Sequence, residues 1–205
     1  MARDTSSIVK QSRREGYALH PKAHKALMKR TTPPGQAGSR MGRNKPSQYS
    51  LQLREKQKVK RLYGLLERQF SKLMTEANRT KGQSGATLLQ FLERRLDNVI
   101  YRAGLAPSRR AARQLVTHGH FELNDRRVDI PSIRVKEGDE IVLRSHSKST
   151  DYFKRIDDTS PAPAATPSWL KVSRKSFTVK VTGLPTRDDA EPDIKEQLIV
   201  EYYSR

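Results

Sequence analysis

SRRAARQLVTHGHFELNDRRV, Ser108 to Val128, changes its hydrophobic period halfway along. Up to Gly119, the residues Ala112, Leu115 and Val116 follow the three- and four-residue spacing of a helix face, with Ser108 as N-cap behind Pro107 and Gly119 as the stop. Beyond it, Phe121 and Leu123, then Val128 and Ile130, alternate as strands do across a tight turn at Asn124-Asp125. The stretch predicts a helix feeding a hairpin, and it begins and ends in paired arginines.

On a helix starting at Arg109, Arg113 lies four residues from Arg109 and three from Arg110, so with Thr117 they share the face opposite the apolar one. A helix start offers free N–H groups and the positive dipole end, which suit an anion and disfavour cations by a few tenths to ~1 kcal/mol each. Arginines placed there make sense if a phosphate arrives. Arg126 and Arg127, just past the turn, are expected to reach the same side, making one concave positive patch from helix start and hairpin. His118 and His120 belong to the helix end and strand start, within reach of such a phosphate. The bland alternative for any one RR pair is a solvated face that keeps a basic protein soluble.

Upstream, Leu88, Leu92, Leu96, Val99, Ile100 and Ala103 form the buried stripe of another helix, with Arg94, Arg95 and Arg102 off it and Gly104 as its C′ residue. Downstream, Ile133 and Val135 alternate, KEGDE (Lys136 to Glu140) turns, and Ile141 to Leu143 completes a small antiparallel sheet. Residues 88–150 thus read as an α+β module, two helices packed on a short sheet. Residues 151–192 read as a linker, DDTSPAPAATP, followed by two additional strands at Trp169 to Val172 and Ser176 to Val181.

Ser47 caps a helical region in which Val59, Leu62, Tyr63, Leu66, Phe70, Leu73, Met74 and Ala77 make one apolar stripe, and RTKGQSG closes it, giving a helical domain over 48–87. Arg54, Lys56, Lys58, Lys60 and Arg61 ring that helix and predict a dense positive surface. A terminal helix over 193–205, with Asp193 and Glu196 spaced as a capping box, is expected to dock on it. Residues 1–47 carry eleven basic residues against Asp4 and Glu15 and little to bury, so they read as an extended basic arm, poorly ordered alone. Within it TTPPGQAGSRMG, Thr31 to Gly42, is a loop.

The whole chain agrees with a polyanion partner: 205 residues carry a formal charge of +19 and only 34% are hydrophobic. No run approaches the ~18 apolar residues of a membrane span, and the amino terminus lacks a signal-peptide core, so a soluble cytoplasmic protein is expected. The absence of cysteine excludes disulfides, thiolate catalysis and Cys-rich zinc sites. His20 and His24 have no third ligand or HExxH partner, the carboxylate pairs lie in charged surface contexts, and no Gly-rich phosphate loop is present, so neither metal, cofactor nor catalysis is expected. RNA is favoured over DNA because zinc-finger spacing and bZIP heptads are missing, while a small sheet with basic arms suits a folded RNA. Tyr17 and Tyr49 are placed to stack on bases, whereas Tyr63 belongs to the apolar stripe.

QLREKQKVKRLYGLLERQF (Gln52 to Phe70), FLERRLDNVIYRAG (Phe91 to Gly104), SRRAARQLVTHGHFELN (Ser108 to Asn124) and the terminal LIVEYYSR resemble, in order and over nearly the whole chain, the bacterial small ribosomal subunit protein S-four family; SRREG and PPGQAG add to the match. The resemblance implies a structural protein that binds the 5′ domain of small-subunit rRNA early in assembly, neighbours protein S-five, lies near where mRNA enters and influences decoding accuracy. It implies rRNA-facing roles for Arg13, Arg14, Gln36, Arg54, Lys56, Lys58, Arg61, Arg94, Arg109, Arg113, His118 and Asn124, to which the basic pattern adds Arg40, Arg43, Arg110 and Arg126. Some relatives bind zinc through four cysteines that this chain lacks, and Asn124-Asp125 stands where Asn-Gly is more usual. Two other readings share the module: an RNA-modifying enzyme, for which no separate catalytic domain is present, and a non-ribosomal RNA chaperone.

Overall fold

Residues 4–35, 45–163 and 165–204 are described by a computed structural model of the chain. It divides into one unit of residues Met1–Leu88 with Asp193–Arg205 and a second of Leu89–Pro192.

In the first unit the basic arm is folded in part, against expectation. Helices α1 (Ile8–Glu15) and α2 (Pro21–Lys29) form because Gly16 adopts φ 64° at the end of the first and His20 caps the second, its Nδ1 accepting from the Lys22 N–H at 3.1 Å. Few apolar residues are needed: Leu19 and Ala23 are buried together with Gln11 and Ser12, and Ser12 Oγ accepts from the Leu19 N–H at 3.3 Å. Hydrogen-bonded polar groups complete the small core that hydrophobicity alone did not announce.

The single stripe expected over 48–80 is carried by two helices, α3 (Gln48–Leu62) and α4 (Glu67–Arg79). Gly64, at φ 66°, stops α3, and the bonds from Gly64 N–H to the Arg61 carbonyl and from Leu65 N–H to the Lys60 carbonyl make a Schellman ending. Val59, Leu62, Tyr63, Phe70, Met74 and Ala77 are buried as the periodicity requires, and Leu65 joins them from the turn.

The second unit begins partway along α5 (Ser84–Glu93), and here too one continuous helix is replaced by two, α5 and α6 (Leu96–Arg102). Arg95 is extended and bridges Arg134, while Leu96 N–H donates to the Ile133 carbonyl and Val135 N–H to the Arg94 carbonyl. Residues 133–135 spend their backbone groups on this break, so they make an isolated bridge rather than the strand their alternation suggests. The opening stretch folds as read, with α7 (Arg109–Thr117) capped by Ser108 Oγ, which accepts from the Ala111 N–H at 3.2 Å. Strands β1 (Phe121–Leu123) and β2 (Arg126–Val128) follow across Asn124 and Asp125, both at positive φ, 50° and 61°, as a two-residue I′-like hairpin requires.

The sheet does not end at β3 (Glu140–Leu143). Short helices α8 (Ser145–Lys148), α9 (Asp151–Lys154) and α10 (Ile156–Thr159) precede β4 (Leu170–Ser173) and β5 (Thr178–Val181), and β5 pairs antiparallel with β3. The order is β2-β1-β3-β5-β4 in one five-stranded sheet, so residues 151–192 are part of the module's architecture. Phe153 shows why: its ring meets Phe121, Tyr152 and Phe177 edge-on at 5.0–6.2 Å, over a core of Leu96, Ile100, Val116, Ile141, Trp169 and Val179.

Back in the first unit, α11 (Glu196–Tyr203) packs on α3 through buried Ile199, a Gln52 Nε2 to Glu201 Oε2 bond of 2.7 Å, and the Tyr49–Tyr202 ring pair. The expected capping box is not formed: Lys195 is the N-cap residue without a side-chain bond, and Asp193 lies before it, its carbonyl accepting from Lys58 Nζ at 2.8 Å.

Candidate nucleic-acid interface

The arginines of α7 share a face, but that face meets carboxylates before it meets a partner. Arg113 Nη1 donates to Asp97 Oδ2 at 3.1 Å, and Arg109 donates to Asn98 Oδ1 at 2.8 Å and to Glu191 Oε1 at 3.2 Å. Around them Asn98 Nδ2 reaches Glu93, Glu93 accepts two bonds from Arg102, and Arg102 lies 3.5 Å from Glu191, closing a ring of hydrogen bonds and ion pairs through the neutral Asn98. Glu93 and Asn98 are almost wholly buried, as are Arg95 and Asp97, which form a bidentate pair. Charge buried in this way must be paired, so the network holds α6 and α7 together and fixes Arg109 and Arg113. Arg110, on the same helix, is exposed.

Arg127 does not join the helix start. A Cβ built on Gly119 would lie 2.7 Å from its Nε, so the hairpin returns to the carboxyl end of α7, roughly 13 Å from Arg109 by helix rise. There Arg144 Nη1 reaches the Gly119 carbonyl at 3.4 Å, and the exposed His118 ring stands 6.0 Å from His120. Cations at a helix carboxyl end meet the favourable pole of the dipole. His120 Nδ1 lies 3.0 Å from Ser147 Oγ, and burial, then His118 and Arg144, push the imidazole below its ordinary value. The expected single patch is therefore two clusters, one at each end of α7.

Asn124 is used locally, Nδ2 donating to Asp139 and Oδ1 accepting from the Glu140 N–H, while Arg126 is exposed on β2. Arg94 donates through Nε to the Val135 carbonyl at 2.8 Å, and burial, then Arg134, lower its pKa. Arg134, at the isolated bridge, Arg144, just after β3, and Lys148, at the end of α8, add further cations in this unit, in stretches outside the helices read from the sequence.

In the first unit the cluster at 54–61 is largely turned to internal ion pairs. Arg54 and Arg61 converge on Glu15, whose side chain is fully buried, Lys56 and Lys60 pair with Glu67, and Lys58 pairs with Glu55 at 2.8 Å. Lys56 is itself buried, its Nζ 4.4 Å from the Tyr202 ring centroid. Arg13 donates to the carbonyls of Thr32 and Pro33, and Arg14 is exposed. Gln36, Arg40 and Arg43 lie outside the described residues.

Comparison with known proteins fits this architecture. A family model described as Ribosomal protein S4/S9 N-terminal domain matches residues 3–93, and one described as S4 domain matches 94–141, the junction falling at the break between α5 and α6. Over the whole of both chains the sequence is 50% identical to Small ribosomal subunit protein uS4 of Clostridioides difficile strain 630. It is 48% identical to uS4A of Symbiobacterium thermophilum and to uS4 of a Roseiflexus species, again over full lengths. With half its residues shared end to end with such relatives, the chain belongs to the uS4 family of small ribosomal subunit proteins.

Proposed function

We propose that this chain is a structural, non-enzymatic constituent of the small ribosomal subunit, working in the cytoplasm. In this reading it binds the 5′ domain of small-subunit rRNA during assembly, sits as a single copy beside protein S-five and near incoming mRNA, and contributes to decoding accuracy. The observation that carries the reading is the end-to-end identity of about half the residues with uS4 proteins, spanning both matched domains.

The geometry supports a division of labour among the cations. Asp97, Glu191, Glu15 and Glu67 fix Arg113, Arg109, Arg54, Arg61 and Lys56 in place, while Arg14, Arg110, His118, Arg126 and Arg127 are exposed. Fixed guanidiniums present their remaining N–H groups to phosphate in a set geometry, and exposed ones supply the salt-sensitive attraction.

The test is binding of the purified protein to the isolated 5′ domain and to an unrelated folded RNA of equal length, across a salt series. A preference of about a hundredfold that persists as salt rises is expected, with overall affinity falling about 10³- to 10⁵-fold between roughly 50 and 200 mM if some 6–10 phosphates are contacted. Replacing Arg110, Arg126 and Arg127 together by Gln should flatten the salt slope by up to about three. Equal affinities for both RNAs would favour a general RNA chaperone instead.

A further inference from the structure

In the first unit the amino-terminal part of α3 and the chain after α2 border an open groove of about 360 Å³, lined by Arg14, Pro33, Tyr49, Ser50, Leu53 and Arg54. That is within the range of clefts that take small ligands, roughly 300–1,000 Å³. Its walls differ in kind. Pro33, Leu53 and the ring of Tyr49 form an apolar side, and Tyr49 is left 47% exposed although it is a large aromatic residue backed by Tyr202, with ring centroids 5.9 Å apart.

Arg14 and Arg54 form the opposite character. Arg54 is anchored by Nη1 to Glu15 Oε1 at 3.1 Å, yet its side chain remains 39% exposed, so its other N–H groups have a set direction and access to solvent. Arg14 donates no side-chain hydrogen bond among the described residues, and its pull on Glu15 is weaker than that of Arg54 or Arg61. Glu15 is sealed away, with its side chain fully buried, so the acidic partner of these arginines does not face an incoming anion. A flat apolar wall beside two guanidiniums fits a ligand with one flat, weakly polar face and an adjacent negative charge.

We propose that this groove holds one unpaired RNA nucleotide, its base stacked on Tyr49 against Pro33 and Leu53 and its phosphate held by Arg14 and Arg54. The assignment rests on the reading of the chain as an rRNA-binding protein and adds a base-binding site to it. Stacking tolerates any base, because every base has a π face, so the pocket selects for an unstacked nucleotide at this place rather than for its identity. It recognises a kink or bulge in the RNA.

The full-length protein would be bound to the isolated 5′ domain of small-subunit rRNA, irradiated at short ultraviolet wavelength, digested and analysed by mass spectrometry, with affinities measured in parallel for Tyr49→Ala and Tyr49→Phe. Expected are a nucleotide adduct on Tyr49, a loss of roughly 5- to 150-fold for Tyr49→Ala, the range for one base on an aromatic ring, and near-complete recovery in Tyr49→Phe. Adducts confined to other residues, with affinity unchanged in Tyr49→Ala, would overturn the proposal and leave the groove to a protein segment. Loss of affinity without any Tyr49 adduct in the wild type would overturn it too, since it would show Tyr49 acting only through its packing on Tyr202. If the wild type does not prefer the 5′ domain but still gives the Tyr49 adduct, the pocket stands and the rRNA assignment falls.

Discussion

Glu67 receives three donors: Lys56 Nζ at 2.8 Å, Lys60 Nζ at 3.0 Å and the Tyr203 hydroxyl at 2.9 Å. Burial alone would raise its pKa, but these bonds prevail and hold it at about 2, below the ordinary 4.5. A carboxyl whose folded pKa is depressed contributes its stability above the unfolded value, and that contribution disappears as pH falls from about 4.5 toward 2. Glu15 runs the other way: burial pushes its carboxyl up against the pull of Arg54 and Arg61, so its contribution weakens as pH rises through the folded value. The urea midpoint should therefore drop in the wild type over pH 4.5 to 2, and Glu67→Gln should flatten that limb. An acid limb identical in the two proteins would show that the Lys56–Glu67–Tyr203 cluster carries no weight in folding. None of these pairings was legible in the sequence, because Glu67 lies eleven residues from Lys56 and on another helix. The cations were visible, whereas their partners were not.

Where helices stop is a matter of backbone conformation, and two glycines show how far the local sequence can be read. Gly64 and Gly104 both adopt left-handed φ, 66° and 71°, but only Gly104 is crowded: an added Cβ would meet nothing within 4 Å at Gly64, and Pro163 Cδ at 2.4 Å at Gly104. Alanine at Gly64 should cost about 1–2 kcal/mol from the backbone alone. At Gly104 the rigid proline ring adds an overpacking term, for a total of roughly 2–5 kcal/mol. Urea unfolding of the two variants decides the matter, and equal losses would mean that Pro163 yields without cost. Gly104 was recognisable as a helix end from its place after Ala103; its contact with Pro163, 59 residues away in sequence, was not. The same division applies to the break at Arg94-Arg95. Periodicity runs through it undisturbed, and the interruption is imposed by backbone bonds to residues 133–135.

At the scale of the molecule, the first unit is closed by a helix from the far end of the chain, and Trp169, the single tryptophan, is buried in the second. That separation gives each unit its own reporter. Deleting residues 193–205 removes Ile199, Tyr202 and Tyr203 from α3 and α4, so the helical circular dichroism of the first unit and its resistance to protease should fall. Trp169 emission should stay blue-shifted. A red shift on deletion, or an undiminished helical signal, would contradict the division into units that carry separate cores.

By itself the sequence determined the helix and hairpin of 108–128, the apolar stripes, the Ser47 and Ser108 caps, the α+β class and the strongly basic balance. These depend on residues within about one turn or one hairpin of each other, where spacing and propensity act directly. Tertiary structure decided that β4 and β5 complete one five-stranded sheet with β1 to β3, that the arm holds two helices, and that the cations of 54–61 and Arg109 and Arg113 are paired. The physical reason is the same in each case. A charge or an open strand edge exposes only its need for a partner, and the partner lies tens of residues away, brought near by the packing of apolar faces.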